Sequence, residues 1–287
     1  MFFRKLDLKN LKLPAARCKN YKTGGRITME PSKPFIDQFM KFWYWYISRL
    51  DKNGELTFMN YGLSNHEELD LKGKDEYNRY PIQLYNYITG NLVLAGLDVL
   101  EVGSGRGGGA EYMSRSFRPK SYKGVDLNKS AVKFCNKFHS REGLSFTQGN
   151  ALNLPFANNS FDVVINVESS HRYPNVNKFF REVHRVLKPR GHFLFTDFRD
   201  DFLVDRLHRQ LRNSKMEIKK QEFITPYIVK ALELDHERRQ RLIKRLSPPV
   251  FRPIARDFSG LKGSRMYNWF KTGRVEYLYY VMQKPNG

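Results

Sequence analysis

The spacing of apolar positions changes period several times along the chain, and each change marks an element. In "FIDQFMKFWYWYISRL" (35–50), Phe39, Phe42, Trp43, Tyr46 and Leu50 recur at three- and four-residue steps. That spacing predicts an amphipathic helix, packed on the rest of the fold or dipping its aromatic face into a membrane interface. A second helix is expected over 78–94, interrupted near Gly90. From there short apolar runs alternate with helical periods. "LDVLEVG" (97–103), "SYKGVDLN" (121–128), "LSFTQGNA" (144–151), "FDVVINVES" (161–169) and "GHFLFTDF" (191–198) read as strands. Between them, "GGAEYMSRSF", "KSAVKFCNKFHSRE" and "NKFFREVHRVLKP" read as helices.

Strands separated by helices of this length imply right-handed β-α-β units. The expected fold is α/β, a Rossmann-like doubly wound and mostly parallel sheet. "VEYLYYVMQK" (275–284) is expected to add an antiparallel C-terminal edge strand. Residues 200–250 hold no glycine and are highly charged, and they are expected to form a helical lid. Residues 1–34, punctuated by Pro14, Gly24, Gly25, Pro31 and Pro34, read as an irregular basic arm before a domain spanning 35–287.

Charge sharpens the picture at the N-terminus. The chain carries a formal net charge of +21, and residues 1–33 contribute nine Lys or Arg against Asp7 and Glu30. Such an excess suits nucleic acid, an anionic membrane surface or acidic substrates, or simply a solvated surface. Two cysteines, Cys18 and Cys135, are too few for a disulfide framework and lack metal-site spacing, so no metal is expected. No apolar run reaches the ~18 residues of a membrane span, and the first twenty residues lack a secretory core. A cytoplasmic protein is expected, with peripheral contact to an anionic membrane through residues 1–50 as an open alternative.

Candidate chemistry begins at "LEVGSGRGGG" (100–109), where Gly103, Gly105 and Gly108 spell G-x-G-x-x-G after the first strand. This motif admits a dinucleotide or another adenosine-type ligand. Asp126 ends the second strand 21 positions after Gly105, placed to accept ribose hydroxyls. Glu101 and the stretch "QGNALNLPFANNSFDVVINVESSHRYP" decide between them. A carboxylate at Glu101 would repel a pyrophosphate but suits the cationic amino and sulfonium groups of S-adenosylmethionine.

Taken in order, "VLEVGSGRGGG", "VDLN", "GNALNLPF", "SFDVVINVESSHRYPN" and "FFREVHRVLKPRGHFLFTD" resemble a class I S-adenosylmethionine-dependent methyltransferase. Within that superfamily the chain is similar to the phthiotriol/phenolphthiotriol dimycocerosates methyltransferases, which O-methylate a long-chain lipid alcohol. The likeness extends to "FWYWYISRLDKNGELTFMNYG" before the core and "GSRMYNWFKTGRVEYLYYVMQK" after it. The resemblance implies that Gly103, Gly105 and Gly107 line the methionine half of the cofactor, with Glu101 organising the loop. Asp126 would hold the ribose, Leu127 flank the adenine, and Asn150 and Ala151 meet its edge. Asn166 and Val167 would lie under the methionine portion, and Tyr61 would close over the cofactor. Where this chain has Asn150 the family usually has Asp, and Asn retains an oxygen acceptor.

Methylating an alcohol requires loss of its proton near the transition state, which calls for a general base. His171, just after the fourth strand, is the candidate, with Glu168 as its orienter or as a cofactor contact. The alternative for His171 is a loop histidine that shapes the pocket. Asp197, after the fifth strand, either bounds the substrate mouth or caps the following turn, and the second is favoured. Residues 200–250 would roof a hydrophobic, lipid-like acceptor. Rival readings are an RNA methyltransferase, a sterol, quinone or polyketide methyltransferase, and a cofactor-binding protein without catalysis. The fourth strand is followed by "NVESSHRYP" and not by an N/D-P-P-Y/F/W loop, which disfavours nucleic acid as partner.

Overall fold

The computed structural model describes residues 51–286 with the exception of 52, 53, 66 and 68. The expected basic arm (1–34) and aromatic helix (35–50) lie outside the described residues. In chain order the elements are α1 (Lys74–Tyr77), α2 (Arg79–Thr89), β1 (Asp98–Val102), α3 (Gly108–Phe117), β2 (Ser121–Asp126), α4 (Lys129–Phe138), β3 (Leu144–Gln148) and β4 (Phe161–Val167). Then follow α5 (Val176–Val186), β5 (Leu187–Asp200), α6 (Asp201–Arg212), β6 (Glu217–Phe223), α7 (Thr225–Leu234), α8 (His236–Leu246), α9 (Arg252–Phe258), α10 (Arg265–Lys271) and β7 (Val275–Gln283).

The seven strands form one sheet in the order β3-β2-β1-β4-β5-β7-β6. All pairings are parallel except those of β7, which runs antiparallel to both β5 and β6. Side chains alternate across the strands, so Val99, Val163 and Ile165 enter one core while Leu100, Val102 and Val164 enter the other. The first core is covered by α2, α3, α4, α7 and α10, the second by α5 and α6. On α5, Phe179, Phe180, Val183 and Val186 are fully buried. Each such side chain contributes roughly 1.5–3 kcal/mol of hydrophobic stabilisation.

Two expectations are corrected. The C-terminal strand is antiparallel, as its sequence suggests, but it is not at the edge: β7 lies between β5 and β6. Its near-continuous apolar run is buried on both faces, as an interior strand requires. The edge belongs to β6, "EIKKQEF", inside the stretch expected to be helical. Its lysines and glutamates leave it mostly exposed and protect a free edge against pairing with another chain.

Strand order reverses between β1 and β4. A crevice therefore opens beyond the carboxyl ends of these strands, the place where a doubly wound sheet holds its ligand.

Candidate active site

That crevice is a cavity of about 740 Å³, within the range of small-molecule sites. Its floor is the loop after β1. The amides of Gly103 and Ser104 donate to the Val125 carbonyl at 2.8 and 3.2 Å, and the Gly105 amide donates to Asp126 Oδ2 at 2.9 Å. Gly103 has φ +81°, and a Cβ on it would stand 2.4 Å from Ser169 Oγ, so only glycine fits. Asp126 Oδ1 accepts from the Asn128 amide at 2.8 Å. Each Asp126 oxygen thus takes one backbone donor and keeps a lone pair for a ligand. Burial raises the Asp126 pKa, opposed by these two amides.

Eight of the eleven residues expected to hold the cofactor line the cavity: Tyr61, Gly103, Gly105, Asp126, Leu127, Asn150, Ala151 and Val167. Asn150 Oδ1 accepts from the Leu152 amide at 2.9 Å, so this oxygen already closes its own turn. The other three stand behind the wall. Glu101 is buried and accepts from the hydroxyls of Tyr85 at 2.7 Å and Tyr122 at 2.9 Å. Burial pushes its pKa up to about 7 against the pull of these donors. Gly107 backs onto Cys135, His139 and Phe146, where a Cβ would clash at 2.8–2.9 Å. Asn166 is fully buried and donates from Nδ2 to the Val102 carbonyl at 2.7 Å, tying β4 to β1.

Beyond β4 the chain turns sharply. Glu168 has φ +46°, a left-handed conformation that costs of order 1–3 kcal/mol for a residue with a side chain. Its Oε1 accepts from the Tyr61 amide at 2.7 Å and the Tyr277 hydroxyl at 2.6 Å. Desolvation pushes its pKa up to about 8, opposed by these same donors. Glu168 therefore faces the cavity but does not contact His171 through a hydrogen bond, and the expected orienter is corrected.

That place is taken by Asp197. The register pairs Val167 with Thr196, which sets the turn after β4 beside the end of β5. His171 Nδ1 lies 2.8 Å from Asp197 Oδ1, and the His171 amide donates to Oδ2 at 2.8 Å. Ser170 Oγ donates to the same Oδ2 at 2.6 Å, and Arg199 pairs with it at 3.0 Å. Burial opposes ionisation of Asp197, but Arg199 and His171 hold its carboxyl well below the usual carboxylate range. Asp197 is thus no mere turn cap. The His171 ring lines the cavity and packs on Phe198 at 4.2 Å between centroids.

Sequence reasoning passed over Asp197 as a partner, and with it Phe198, Tyr85 and Tyr277. The available signal was that Asp197 follows the apolar run of the strand adjacent to β4, one position beyond its last pairing with β4. No group of His, Cys, Asp and Glu among the described residues is arranged to hold a metal ion.

Comparison with known proteins places this geometry. Residues 100–195 match the methyltransferase domain family. A fatty-acid O-methyltransferase of Mycolicibacterium smegmatis is 37% identical over 250 residues, covering 86% of this chain and 90% of that protein. A phthiotriol/phenolphthiotriol dimycocerosates methyltransferase of Mycobacterium leprae is 36% identical over 246 residues, covering 85% and 91%. The chain belongs to this family, and it is an S-adenosylmethionine-dependent methyltransferase.

Among solved structures, the [4+2]-cyclase SpnF aligns with a TM-score of 0.65 at 18% identity over 91% of this chain and 98% of its own. A geranyl diphosphate C-methyltransferase of Streptomyces coelicolor gives 0.60 at 17% over 84% and 98%. At these identities the likeness carries the fold, which hosts both cyclisation and methyl transfer.

The residues present fit S-adenosylmethionine. Ser104 Oγ and Asn166 Oδ1 are buried without a partner among the described residues, and Ser104 lines the cavity. Asp126 offers acceptors to ribose hydroxyls, and Glu168 offers a carboxylate to a cationic centre.

Proposed function

We propose that this enzyme O-methylates a hydroxyl group on a lipid-like acceptor, with His171 as general base. The observation that carries the reading is the His171–Asp197 pair at the mouth of the cavity. Its relatives named for a fatty acid and for phthiotriol dimycocerosates support a long-chain acceptor.

S-adenosylmethionine, when bound, supplies a methyl group on a positively charged sulfur. Gly103 and Gly105 form the floor of the methionine side, and Tyr61, Val167 and Glu168 enclose it. Asp126 holds the ribose, while Leu127, Asn150 and Ala151 surround the adenine. Glu101, Gly107 and Asn166 act from behind, holding the loop and the strand ends in place. Leu127 is 65% exposed, a large apolar surface suited to covering a base.

Asp197 accepts the Nδ1 proton of His171, which leaves the lone pair on Nε2. Nε2 would take the proton of the acceptor hydroxyl as that oxygen receives the methyl group, the sulfur–methyl bond breaking with its electron pair left on the sulfur of S-adenosylhomocysteine. The imidazolium so produced is paired with the Asp197 carboxylate and gives its proton to solvent, since the His171 side chain is 24% exposed. The aromatic wall of Phe198 excludes water from one side of the ring. Of residues 200–250, α8 comes nearest the site, lying beside residues 56–61, while α7 packs into the first core.

Labelled methyl transfer into a total lipid extract tests the reading. Label should enter a lipid as an alkali-stable ether. Alkali-labile label would mark a methyl ester and a carboxyl acceptor, which needs no base, and would sink the hydroxyl assignment. His171→Gln should lower turnover by about 10²–10⁴-fold with little change in S-adenosylhomocysteine affinity.

A further inference from the structure

A second, smaller cavity of about 80 Å³ adjoins the first. It lies between residues 56–61 and helices α8 and α9, walled by Leu56, Leu242, Ile243, Leu246 and Ala255. These side chains form a separate hydrophobic cluster, apart from the two cores that hold the sheet.

The two cavities are neighbours. Phe58, Met59, Asn60, Tyr61 and Phe258 line both of them. This shared wall also reaches the proposed base. Phe198 packs on the His171 ring at 4.2 Å on one side and on the Tyr61 ring at 5.6 Å on the other. Tyr61 in turn donates its hydroxyl to the Phe258 carbonyl at 3.1 Å.

The charged groups in the lining are already satisfied. Arg239 pairs with Asp235 at 2.9 Å and donates to the carbonyls of Ser259 at 3.0 Å and Tyr61 at 2.8 Å. Arg238 shares the same aspartate. What remains is a mainly apolar void, whose lining also includes the buried Ser247 hydroxyl, without a hydrogen-bond partner among the described residues; an empty apolar void forfeits contacts that a well-packed interior would make. A hydrocarbon chain restores them.

We infer that the hydrocarbon tail of the acceptor occupies this cleft, so that α8 and α9 set the chain-length preference. The inference rests on the reading of the enzyme as a lipid methyltransferase. The void takes a few methylene groups, and α8 and α9 meet beside it through the small third cluster. On α9, Ile254 and Phe258 are 41% and 38% exposed, an apolar continuation for a long tail.

The test uses octanol, tetradecanol and octadecanol, with the matching fatty acids, on the full-length enzyme. Wild type should gain kcat/KM with chain length. Ala255→Phe fills the cleft and should lower kcat/KM for octadecanol at least about tenfold, mainly through KM, with octanol little changed. Leu246→Ala enlarges the cleft and should move the preference towards longer chains. Both variants are checked for wild-type binding of S-adenosylhomocysteine. Equal losses on all chain lengths, or unchanged preference in both variants, would overturn the cleft assignment. If Ala255→Phe does not fold, an unchanged preference in Leu246→Ala overturns it alone. Failure of wild type on the whole series would instead overturn the lipid reading on which it rests.

Discussion

Asp197 and Glu168 are two carboxylates at neighbouring strand ends with opposite electrostatics. Asp197 is kept ionised by Arg199 and His171, whereas Glu168 is raised to about 8 by desolvation. The first difference gives a catalytic prediction. Asp197→Asn preserves shape but removes the acceptor that fixes the His171 tautomer, and in a comparable hydrolase dyad this costs about 10⁴ in kcat. A loss of at least about a hundredfold, with S-adenosylhomocysteine affinity retained, is expected; an unchanged rate would remove Asp197 from the mechanism. The second difference predicts a pH effect on the cofactor-free enzyme. A carboxyl raised in the fold binds its proton more tightly than the unfolded chain does, so its burial costs stability as pH rises from about 4.5 to about 8. Glu168→Gln lacks this cost. Its free energy of unfolding relative to wild type should climb across that window, by at most about 1.4 kcal/mol per pH unit, and level off above it. A constant difference would show that Glu168 is ionised in the fold. At this scale His171 was legible in the sequence because it follows a strand end. Its partner was not, since 26 residues separate them and only the parallel register of β4 and β5 brings them together.

Elements meet at the site through a buried ion pair. Arg106, in the glycine loop, pairs with Asp51 at 2.8 Å, and both side chains are essentially inaccessible. Its Nε donates to the Leu56 carbonyl at 2.6 Å, and its guanidinium lies 3.6 Å over the Phe134 ring. The His139 ring, 2.8 Å from the Arg106 carbonyl, holds the backbone from the other side. The segment from Asp51 to Tyr61 is thereby fastened to the loop that forms the cavity floor. Removing one partner of such a pair leaves a buried uncompensated charge, at a cost of about 3–5 kcal/mol. Arg106→Met should lower the melting temperature and speed proteolysis within 51–61. It should also weaken S-adenosylhomocysteine binding more than the stability loss alone explains. Unaltered proteolysis in a folded variant would refute the fastening role. The five parallel strands were legible because short strand-like runs alternated with helical periods, the first three ending at glycine or asparagine turns. β6 was not, because an edge strand of lysines and glutamates has no apolar period to read. The interior place of β7 needed that strand to be recognised first.

At the scale of the whole molecule the charge is the feature that the folded core leaves unused. No helix among the described residues is long and apolar enough to cross a membrane, yet the lipid acceptor proposed above would have to be reached. Residues 1–33 carry a net +7, and 35–50 follow with an aromatic amphipathic period. Each Lys or Arg near an anionic surface contributes about 1 kcal/mol of attraction, which salt screens within a Debye length of about 8 Å at physiological strength. Apolar insertion is not screened. The two contributions therefore separate in a flotation experiment. The full chain should float with vesicles containing phosphatidylglycerol and not with phosphatidylcholine alone. Raising the salt to about 0.5 M should release most of it if the basic arm dominates. A salt-resistant fraction would mark insertion of the 35–50 face. Deleting residues 1–50 spares Asp51 and its pairing with Arg106, so the cavity floor remains fastened. The truncated enzyme should keep its rate on octanol supplied below its solubility limit, and lose rate on acceptors presented in anionic vesicles. Equal flotation with and without residues 1–50 would assign membrane contact to another surface.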